Sequence, residues 1–424
     1  MFKRSFALLS ILVTASLLLA ACGGAGASTY VCDDPLGCVD VAPGEPIQIA
    51  YALVISGADE TLGVDSRNGI EVAMALKGQV KGHDIQLTGE DEACSAEGGQ
   101  AAGTKLSANP SVVAVIGTSC SSAARVAVPL LSQAGFVIVS PSNTAPDLTL
   151  AGNENQHPGY FRTAHSDLVQ GKAAAQFAFQ ELGVTKAATI HDGSLYAEKL
   201  QEVFADEFQA LGGTITAREA VDPNGTDFKS SLTAIAATGP EFIYLPVFIK
   251  AGSLMTRQAK EVPGLEDVYL MGADGMFSPD TVEGAGEAVE GLFVSSPDLA
   301  AFGADYQAVF VPKYNEMFGT DPISIFHAHA HDAAMLIFAA IEKVAVEDED
   351  GTLHIPRQAL RDAVYGTSGF AGLTGNLTCT PTGDCADPKI AVRLHGFGLA
   401  RAPLALMPES TVPAARRALE QAGR

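Results

Sequence analysis

Short apolar runs alternate with longer amphipathic segments along most of the chain. The apolar runs of strand length include "IQIAYALVI" (47–55), "DIQLTGE" (84–90) and "VVAVIG" (112–117). Helical patterns such as "NGIEVAMALKG" (68–78) and "AEGGQAAGTKLSA" (96–108) separate them. This alternation predicts βα units, that is, parallel sheets with helices on both faces, and therefore an α/β fold class.

The alternation occurs in two series. The first series ends near Ser140, and the second extends from about Tyr160 to Val294 with the runs "AATIHD", "EFIYLPV" and "DVYLMG". A helix-rich segment at 301–346 interrupts this alternation of strands and helices and must pack on one of the two series. Because about 400 residues are too many for one compact core, the sequence predicts two lobes.

The N-terminus, "MFKRSFALLSILVTASLLLAAC", has the features of a secretory signal. A short basic region, an apolar run and small residues before Cys22 indicate a signal peptide at 1–21. The apolar run ends before the roughly 20 residues that a membrane span requires. Leu19-Ala20-Ala21-Cys22 resembles the lipobox of bacterial lipoproteins, so we expect a lipidated Cys22, a tether over 22–45 and an extracytoplasmic protein anchored to the cell membrane. The alternative is an ordinary signal peptide with a coincidental cysteine.

Secretion changes the interpretation of the other cysteines. Of seven cysteines, six remain after Cys22, an even number that suggests three disulfides in an oxidising compartment. Cys32 and Cys38 bracket "DDPLG", Cys379 and Cys385 bracket "TPTGD", and Cys94 and Cys120 remain. If the last two pair, Cys120 is not a nucleophile; the alternative is a free thiol with a low pKa at Cys120.

The overall charge limits the class of partner. The formal net charge is −23, and no basic stripe occurs, so nucleic acid is excluded as a partner and an anionic polymer would be repelled. Nothing in the sequence calls for a cofactor.

The loops at the carboxyl ends of the strands are where open parallel sheets bind ligands. In the first series these loops are "SGADETLG", "GTSCSS" and "SPSNTAP", and in the second they are "HDGSLY", "PVFIK" and "MGADGMF". They carry hydroxyls, single carboxylates or single aromatics. "GTSCSS" misses the nucleophile-elbow pattern by one residue, because Ser121 stands in place of the second glycine. A secreted hydrolase that uses Ser119, with His327 or His331 as the base, is therefore one hypothesis.

The order of these loops resembles a known family. The segments "EDEAC", "VIGTSCSS", "VIVSPSNTAPDLT", "YFRTAHSDLVQG", "TIHDGSLYAEKL", "DFKSSL" and "LMGADG" are similar to those of the leucine/isoleucine/valine-binding proteins, over most of residues 47–400. These are amino-acid receptors of ATP-driven importers, not enzymes. The resemblance also supports a Cys94–Cys120 disulfide, since the family has a bridge that joins the ends of its second and third strands.

The resemblance implies the type 1 periplasmic binding protein fold, in which two Rossmann-like lobes close over a ligand about a three-segment hinge. The first lobe is expected at 46–162 plus 297–373 and the second at 163–296 plus 374–405. Residues 406–424 are expected to form a tail or helix. The implied partners are a small amino-acid-like ligand and the permease of an ABC transporter, and the protein is expected to be a monomer.

The resemblance also implies a ligand site with contributions from both lobes. Hydroxyls at a helix N-terminus would hold the α-carboxylate, an acid and a backbone carbonyl would hold the ammonium, and aromatic residues would line the opposing lobe. The expected ligand-binding residues are Ser121 and Thr144 for the carboxylate, Ser142 and Asp274 for the ammonium, Asn143 in the same loop, Tyr196 and Phe248 as aromatics, and Leu62. Three of these positions depart from the family's usual residues, because Leu62 and Phe248 stand where tyrosine is common and Asp274 stands for glutamate.

Other interpretations stay open at this stage. Ser121 alone could be a helix N-cap, and Tyr196 a core residue. "HAHAHD" (327–332) lacks the H-E-x-x-H spacing, so we expect packing rather than a metal site there. The same fold also serves receptors for amides, urea or aromatic acids, and sensory modules.

Overall fold

The computed structural model describes residues 30–394 and confirms the predicted α/β class. The strands are β1 (Cys38–Val41), β2 (Ile47–Leu53), β3 (Gln79–Val80), β4 (His83–Asp91), β5 (Val112–Gly117), β6 (Val137–Ser140), β7 (Tyr160–Arg162), β8 (Lys186–His191), β9 (Thr214–Ala220), β10 (Phe242–Tyr244), β11 (Tyr269–Gly272), β12 (Phe293–Pro297), β13 (Val346–Glu347), β14 (Leu353–Pro356), β15 (Phe370–Ala371), β16 (Asn376–Leu377) and β17 (Ile390–Leu394).

Helices connect these strands. The α-helices are α1 (Glu60–Lys77), α2 (Ala96–Ser107), α3 (Ser121–Gln133), α4 (Asp167–Gln176), α5 (Leu195–Ala210), α6 (Lys229–Ala236), α7 (Ile249–Ala259), α8 (Pro279–Ala285), α9 (Val311–Phe318), α10 (His327–Val344) and α11 (Arg357–Tyr365). Short 3-10 and π turns lie at Pro146–Leu148, Phe177–Glu181, Asp274–Met276, Gly286–Val289, Leu299–Ala301 and Tyr306–Phe310. None of the helices within residues 30–394 has the length and apolar character that a membrane crossing requires.

The first lobe is built on a six-stranded sheet of order β3-β4-β2-β5-β6-β7. The strands are parallel except β3, which runs antiparallel to β4. Alternate residues of β2 face opposite sides of this sheet, as the strand period requires. Ile49 joins the apolar cluster that contains residues of α1 and α10, whereas Ala50 joins the cluster with α2 and α3. Helices therefore cover both faces, and the helix-rich 301–346 segment packs on this lobe.

The second lobe has a sheet of order β17-β12-β11-β10-β8-β9. Its strands are parallel apart from β17, which pairs antiparallel with β12. Phe242 and Tyr244 of β10 pack with Phe204 of α5 on one face. Ile243 of the same strand packs with Leu232 and Met255 from α6 and α7 on the other face. Burial on both faces explains why these strands are continuous apolar runs.

Three crossings join the two lobes. The chain enters the second lobe between β7 and α4, leaves it after β12, and returns between Cys385 and β17. The third crossing is later than the boundary predicted after residue 373. The segment 374–385 stays on the first lobe because the Cys385 N–H donates to the Arg162 carbonyl (3.0 Å) and the Arg162 N–H donates to the Gly383 carbonyl (3.0 Å).

The N-terminal segment is more ordered than the predicted tether over 22–45. Strand β1 pairs antiparallel with β14, and the side chains of Val39 and Val41 are buried in the core of the first lobe. The tether prediction was therefore wrong for Cys38–Val41, since an apolar–polar alternation of four residues gave too little signal to identify a strand. The predicted signal peptide, the lipidated Cys22 and the tail at 406–424 lie outside the described residues.

The first lobe contains three disulfide bonds. The bonded pairs are Cys32–Cys38, Cys94–Cys120 and Cys379–Cys385. The Cys94–Cys120 bond connects the loops that follow β4 and β5. The alternative of a nucleophilic thiol at Cys120 was wrong, because a disulfide sulfur carries no ionisable proton.

Candidate functional site

Polar contacts join the two lobes near the carboxyl ends of their central sheets. The backbone N–H of Leu195, at the start of α5, donates to the Ser122 hydroxyl (3.0 Å). The hydroxyls of Thr61 and Ser278 are 3.1 Å apart. The lobes are thus in contact through residues that adjoin the predicted ligand residues Ser121, Tyr196 and Leu62 in sequence.

The first lobe contributes a helix N-terminus and a hydroxyl-rich loop. Helix α3 begins at Ser121, directly after the disulfide-bonded Cys120, and the Ser121 hydroxyl accepts a bond from the Ala145 N–H (3.3 Å). The Ser142 hydroxyl donates to the Ser119 carbonyl (2.9 Å). Ser121, Ser142 and Thr144 are therefore held together at the ends of β5 and β6. This group of hydroxyls beside a helix N-terminus suits a carboxylate.

The loop after β6 is held by buried polar groups. The Asn143 side-chain oxygen accepts bonds from the Thr118 hydroxyl and the Tyr160 hydroxyl, both at 3.1 Å. Its amide nitrogen is buried without a protein partner among the described residues. The buried Arg162 guanidinium donates from Nη1 to the carbonyls of Asn143 (3.3 Å) and Ala145 (2.9 Å). Those carbonyls lie on either side of Thr144, so Arg162 fixes the backbone of that residue.

The second lobe contributes a buried acid. Asp274 starts the 3-10 turn after β11, and only 4% of it is exposed. Its Oδ1 accepts bonds from the Gln170 side-chain nitrogen (2.6 Å) and the Tyr196 hydroxyl (3.0 Å). Burial raises the pKa of Asp274 to about 6, although both hydrogen bonds act in the opposite direction. The site thus contains a carboxyl that a cation would keep ionised.

Aromatic and aliphatic side chains line the remainder of the site. The Tyr196 and Phe248 ring centroids are 5.2 Å apart. Phe248 packs against the core of the second lobe and also against the cluster that contains Leu62 of the first lobe. The Tyr196 hydroxyl also accepts a bond from the Gly275 N–H (3.2 Å). Leu62, Tyr196 and Phe248 therefore form an apolar surface beside the acid, as a side-chain pocket requires.

The hydrolase and metal alternatives find no support in the contacts. The Ser119 hydroxyl accepts a bond from the Val54 N–H (3.1 Å). His327 uses both ring nitrogens, with Asp65 and the Tyr306 hydroxyl each at 2.8 Å, so it is not available as a base. His331 contacts its neighbour Asp332 (3.1 Å). Over the described part of the chain, no group of three His, Cys, Asp or Glu side chains is arranged to hold a metal ion.

Two residues of the site were not identified from the sequence. Arg162 and Gln170 are fully buried and contact the predicted ligand residues from β7 and α4. Neither belongs to a strand-end loop, where the ligand residues of an open sheet are expected. The available signal was the charged and polar residues inside "YFRTAHSDLVQG", a segment that otherwise resembles a buried strand followed by a helix.

Comparisons with known proteins find matches over most of the chain. A family model described as "Periplasmic binding protein" matches residues 46–387. The chain is 27% identical over 343 residues to the leucine-, isoleucine-, valine-, threonine- and alanine-binding protein of Pseudomonas aeruginosa, covering 80% of this chain and 87% of the relative.

Solved structures have the same fold. The crystal structure of a leucine-binding protein from Thermotoga maritima superposes with a TM-score of 0.73 at 25% identity, covering 82% of this chain and 95% of that chain. An ABC transporter substrate-binding protein from Desulfitobacterium hafniense, solved in complex with Leu, superposes with a TM-score of 0.65 at 25% identity, covering 82% and 97%.

Proposed function

Since the chain belongs to the periplasmic binding protein family, we propose that it is an extracytoplasmic solute-binding receptor that encloses an amino acid between its lobes and delivers it to an ABC importer. Two of its relatives support this class of ligand, because one is a leucine-, isoleucine-, valine-, threonine- and alanine-binding protein and another was solved in complex with Leu. Capture needs no bond making, so the protein is proposed to have no enzymatic activity.

The observation that carries the proposal is the buried carboxyl of Asp274 opposite the hydroxyls of the first lobe. An amino acid brings an ammonium and a carboxylate of opposite charge. Asp274 would pair with the ammonium, because burial of an unpaired charge is costly. Burial of a neutral polar group without a hydrogen bond already costs roughly 2 to 7 kcal/mol, and an unpaired charge costs more. Ser121 and Thr144 would hold the carboxylate at the start of α3, and the Ser142 carbonyl would accept a second ammonium bond.

The side chain of the ligand would lie against Leu62, Tyr196 and Phe248. Asn143, whose amide nitrogen has no partner in the described protein, would be available to a polar group of the ligand or to a water molecule. An apolar surface of this kind favours aliphatic or aromatic side chains over charged ones.

Anchoring and assembly are also part of the proposal. Lipidation of Cys22 would hold the receptor at the membrane beside its permease, and the receptor would act as a monomer. A mass spectrum of the mature protein that lacks diacylglycerol would contradict the anchor without affecting the ligand proposal.

The test is a thermal-shift screen of the twenty amino acids, followed by simple amides, urea and aromatic carboxylates. A ligand at 100 times its dissociation constant stabilises the folded protein by about 2.7 kcal/mol. We expect at least one amino acid to raise the unfolding temperature. If only an amide, urea or an aromatic acid does so, the receptor class stands and the amino-acid ligand is wrong.

A further inference from the structure

Gln170 connects the first hinge crossing to the acid of the ligand site. It lies in the first turn of α4, directly after the crossing, and its side chain is fully buried. Its nitrogen Nε2 donates to Asp274 Oδ1 (2.6 Å), to the Ser295 carbonyl (3.0 Å) and to the Ser295 hydroxyl (3.1 Å). Its oxygen Oε1 is hydrogen-bonded to His165 Nε2, within the crossing itself.

The surroundings of the amide allow only one orientation. The Ser295 carbonyl and an ionised Asp274 are acceptors without protons, so they must face the NH2 group of Gln170. The carbonyl of Gln170 therefore faces His165, which must carry its proton on Nε2. Burial lowers the pKa of His165 to about 4, so this histidine is neutral near pH 7 and keeps that tautomer.

We infer that Gln170 is a positioning residue of the receptor: it fixes the Asp274 carboxylate for the ligand ammonium, and His165 fixes the amide of Gln170. This inference rests on the proposed function, since it concerns the amino-acid site. Both the Gln170 and the Tyr196 bond go to Oδ1, so Oδ2 accepts neither of them. Two donors on one oxygen fix the plane of the carboxylate before the ligand arrives, which reduces the ordering that binding requires.

The same contact sets the pH range of ligand binding. A hydrogen bond to the ionised form lowers a carboxyl pKa, so loss of the Gln170 donor raises the pKa of Asp274 above about 6. Ammonium binding needs the ionised acid, and affinity is therefore lost as the pH falls through this pKa. Removal of the donor moves that loss to higher pH.

Other titratable groups face the same cluster. Burial raises the pKa values of Tyr196 and Tyr244 well above their ordinary value, so neither loses its proton between pH 5 and 8. Burial also raises the pKa of Asp167, which feels the charge of Asp274. Asp167 lies in the first turn of α4 and is the group whose titration must be separated from that of Asp274.

The experiment is calorimetric titration of the full mature chain with L-leucine from pH 5 to 8, for the wild type and for Gln170→Met. Methionine keeps the length of the side chain and removes the hydrogen bonds. We expect the variant to bind about tenfold to a hundredfold more weakly at pH 7, since hydrogen bonds to charged groups have this effect. We also expect its pH midpoint to rise by about one unit. The shift should persist in an Asp167→Asn background.

Gln201→Met is the matched control. Gln201 is a buried glutamine of the same lobe, and it accepts a bond from the Thr189 hydroxyl (2.7 Å) rather than contacting Asp274. Its affinity and pH midpoint should equal those of the wild type. A change of the same size in both variants would indicate general loosening of the lobe and would overturn the inference.

Two further outcomes separate this inference from the proposed function. If the wild type binds L-leucine and Gln170→Met has an unchanged pH midpoint, the positioning role is wrong and the receptor stands. If the wild type binds none of the twenty amino acids, both fail. If Gln170→Met does not fold, His165→Phe is the alternative variant, because it keeps a ring and removes the donor to Gln170. An unchanged pH midpoint of L-leucine binding in His165→Phe overturns the inference, and an upward shift supports it.

Discussion

Replacement of Asp274 by asparagine tests the ligand class most directly. The substitution keeps the size of the side chain and an oxygen that can accept the bonds from Gln170 and Tyr196. What it removes is the negative charge. Because Asp274 is almost fully buried, no nearby water can replace that charge when an ammonium occupies the closed cleft.

The size of the effect follows from the burial. Opposite charges about 3 Å apart attract by about 5 kcal/mol at an effective dielectric constant of about 20, before the cost of dehydrating the ammonium is subtracted. Loss of one partner of a buried charge pair costs about 2 to 5 kcal/mol of binding. We therefore expect affinity to fall by about thirtyfold to several thousandfold at pH 7.5.

The assay is calorimetric titration with the amino acid that gives the largest thermal shift. Asp192→Asn is the control, because Asp192 is also a buried acid in a strand-end loop of the second lobe, where its carboxylate accepts a bond from the Ser194 N–H (3.0 Å). The control should bind within about twofold of the wild type. Equal affinity of Asp274→Asn and the wild type would refute the pairing of Asp274 with an ammonium.

The same substitution should stabilise the ligand-free protein at high pH. The pKa of Asp274 is raised from 3.8 to about 6 by burial, so ionisation opposes folding above pH 6, and this opposition disappears below pH 4. A shift of about two units corresponds to about 3 kcal/mol. Asp274→Asn should therefore unfold at higher urea concentration than the wild type at pH 8 and at a similar concentration near pH 4. A variant less stable than the wild type at pH 8 would contradict the burial argument.

Two more predictions concern the cleft. Cys94→Ala/Cys120→Ala should weaken ligand binding while the lobes stay folded, because the disulfide holds the residue that precedes Ser121; unchanged calorimetric affinity would count against this role. Binding of an amino acid should reduce the radius of gyration in solution scattering, because the proposed ligand contacts come from both lobes; tight binding with no change in scattering would indicate a site on one lobe.

The fold was predictable because its signals are local. The run "VVAVIG" was predicted as a strand and is β5, Val112–Gly117, and "AEGGQAAGTKLSA" became α2 with the Ser95 hydroxyl as its N-cap. Every residue of the strand is buried, and Ala102 and Leu106 lie on the buried face of the helix. The third hinge boundary was less predictable, since the segment 374–385 is held on the first lobe by Arg162, a residue far away in sequence.

The candidate site was predictable to the extent that it lies at strand ends. Ser121 and Asp274 come directly after apolar runs, where a ligand of an open sheet is expected. Gln170 and Arg162 carry no such signal, because a buried polar residue in a helix or strand is visible only through its partners. The partners of Gln170 include Ser295, from a strand more than a hundred residues later. Contacts of this kind arise from the packing of the sheet and not from the local pattern.

The free energy of lobe closure depends on the contacts that exist before the ligand binds. The contacts between the lobes, Leu195 to Ser122 and Thr61 to Ser278, are neutral hydrogen bonds that replace bonds to water, so each contributes only about 0.5 to 1.5 kcal/mol. Bonds of this size contribute little, whereas the buried charge of Asp274 opposes folding of the ligand-free protein above pH 6. A cation that neutralises Asp274 removes that opposition, and a ligand shifts the equilibrium by its differential affinity for the closed form. The acid that we propose to pair with the ligand is therefore also the group through which the ligand would stabilise the closed form.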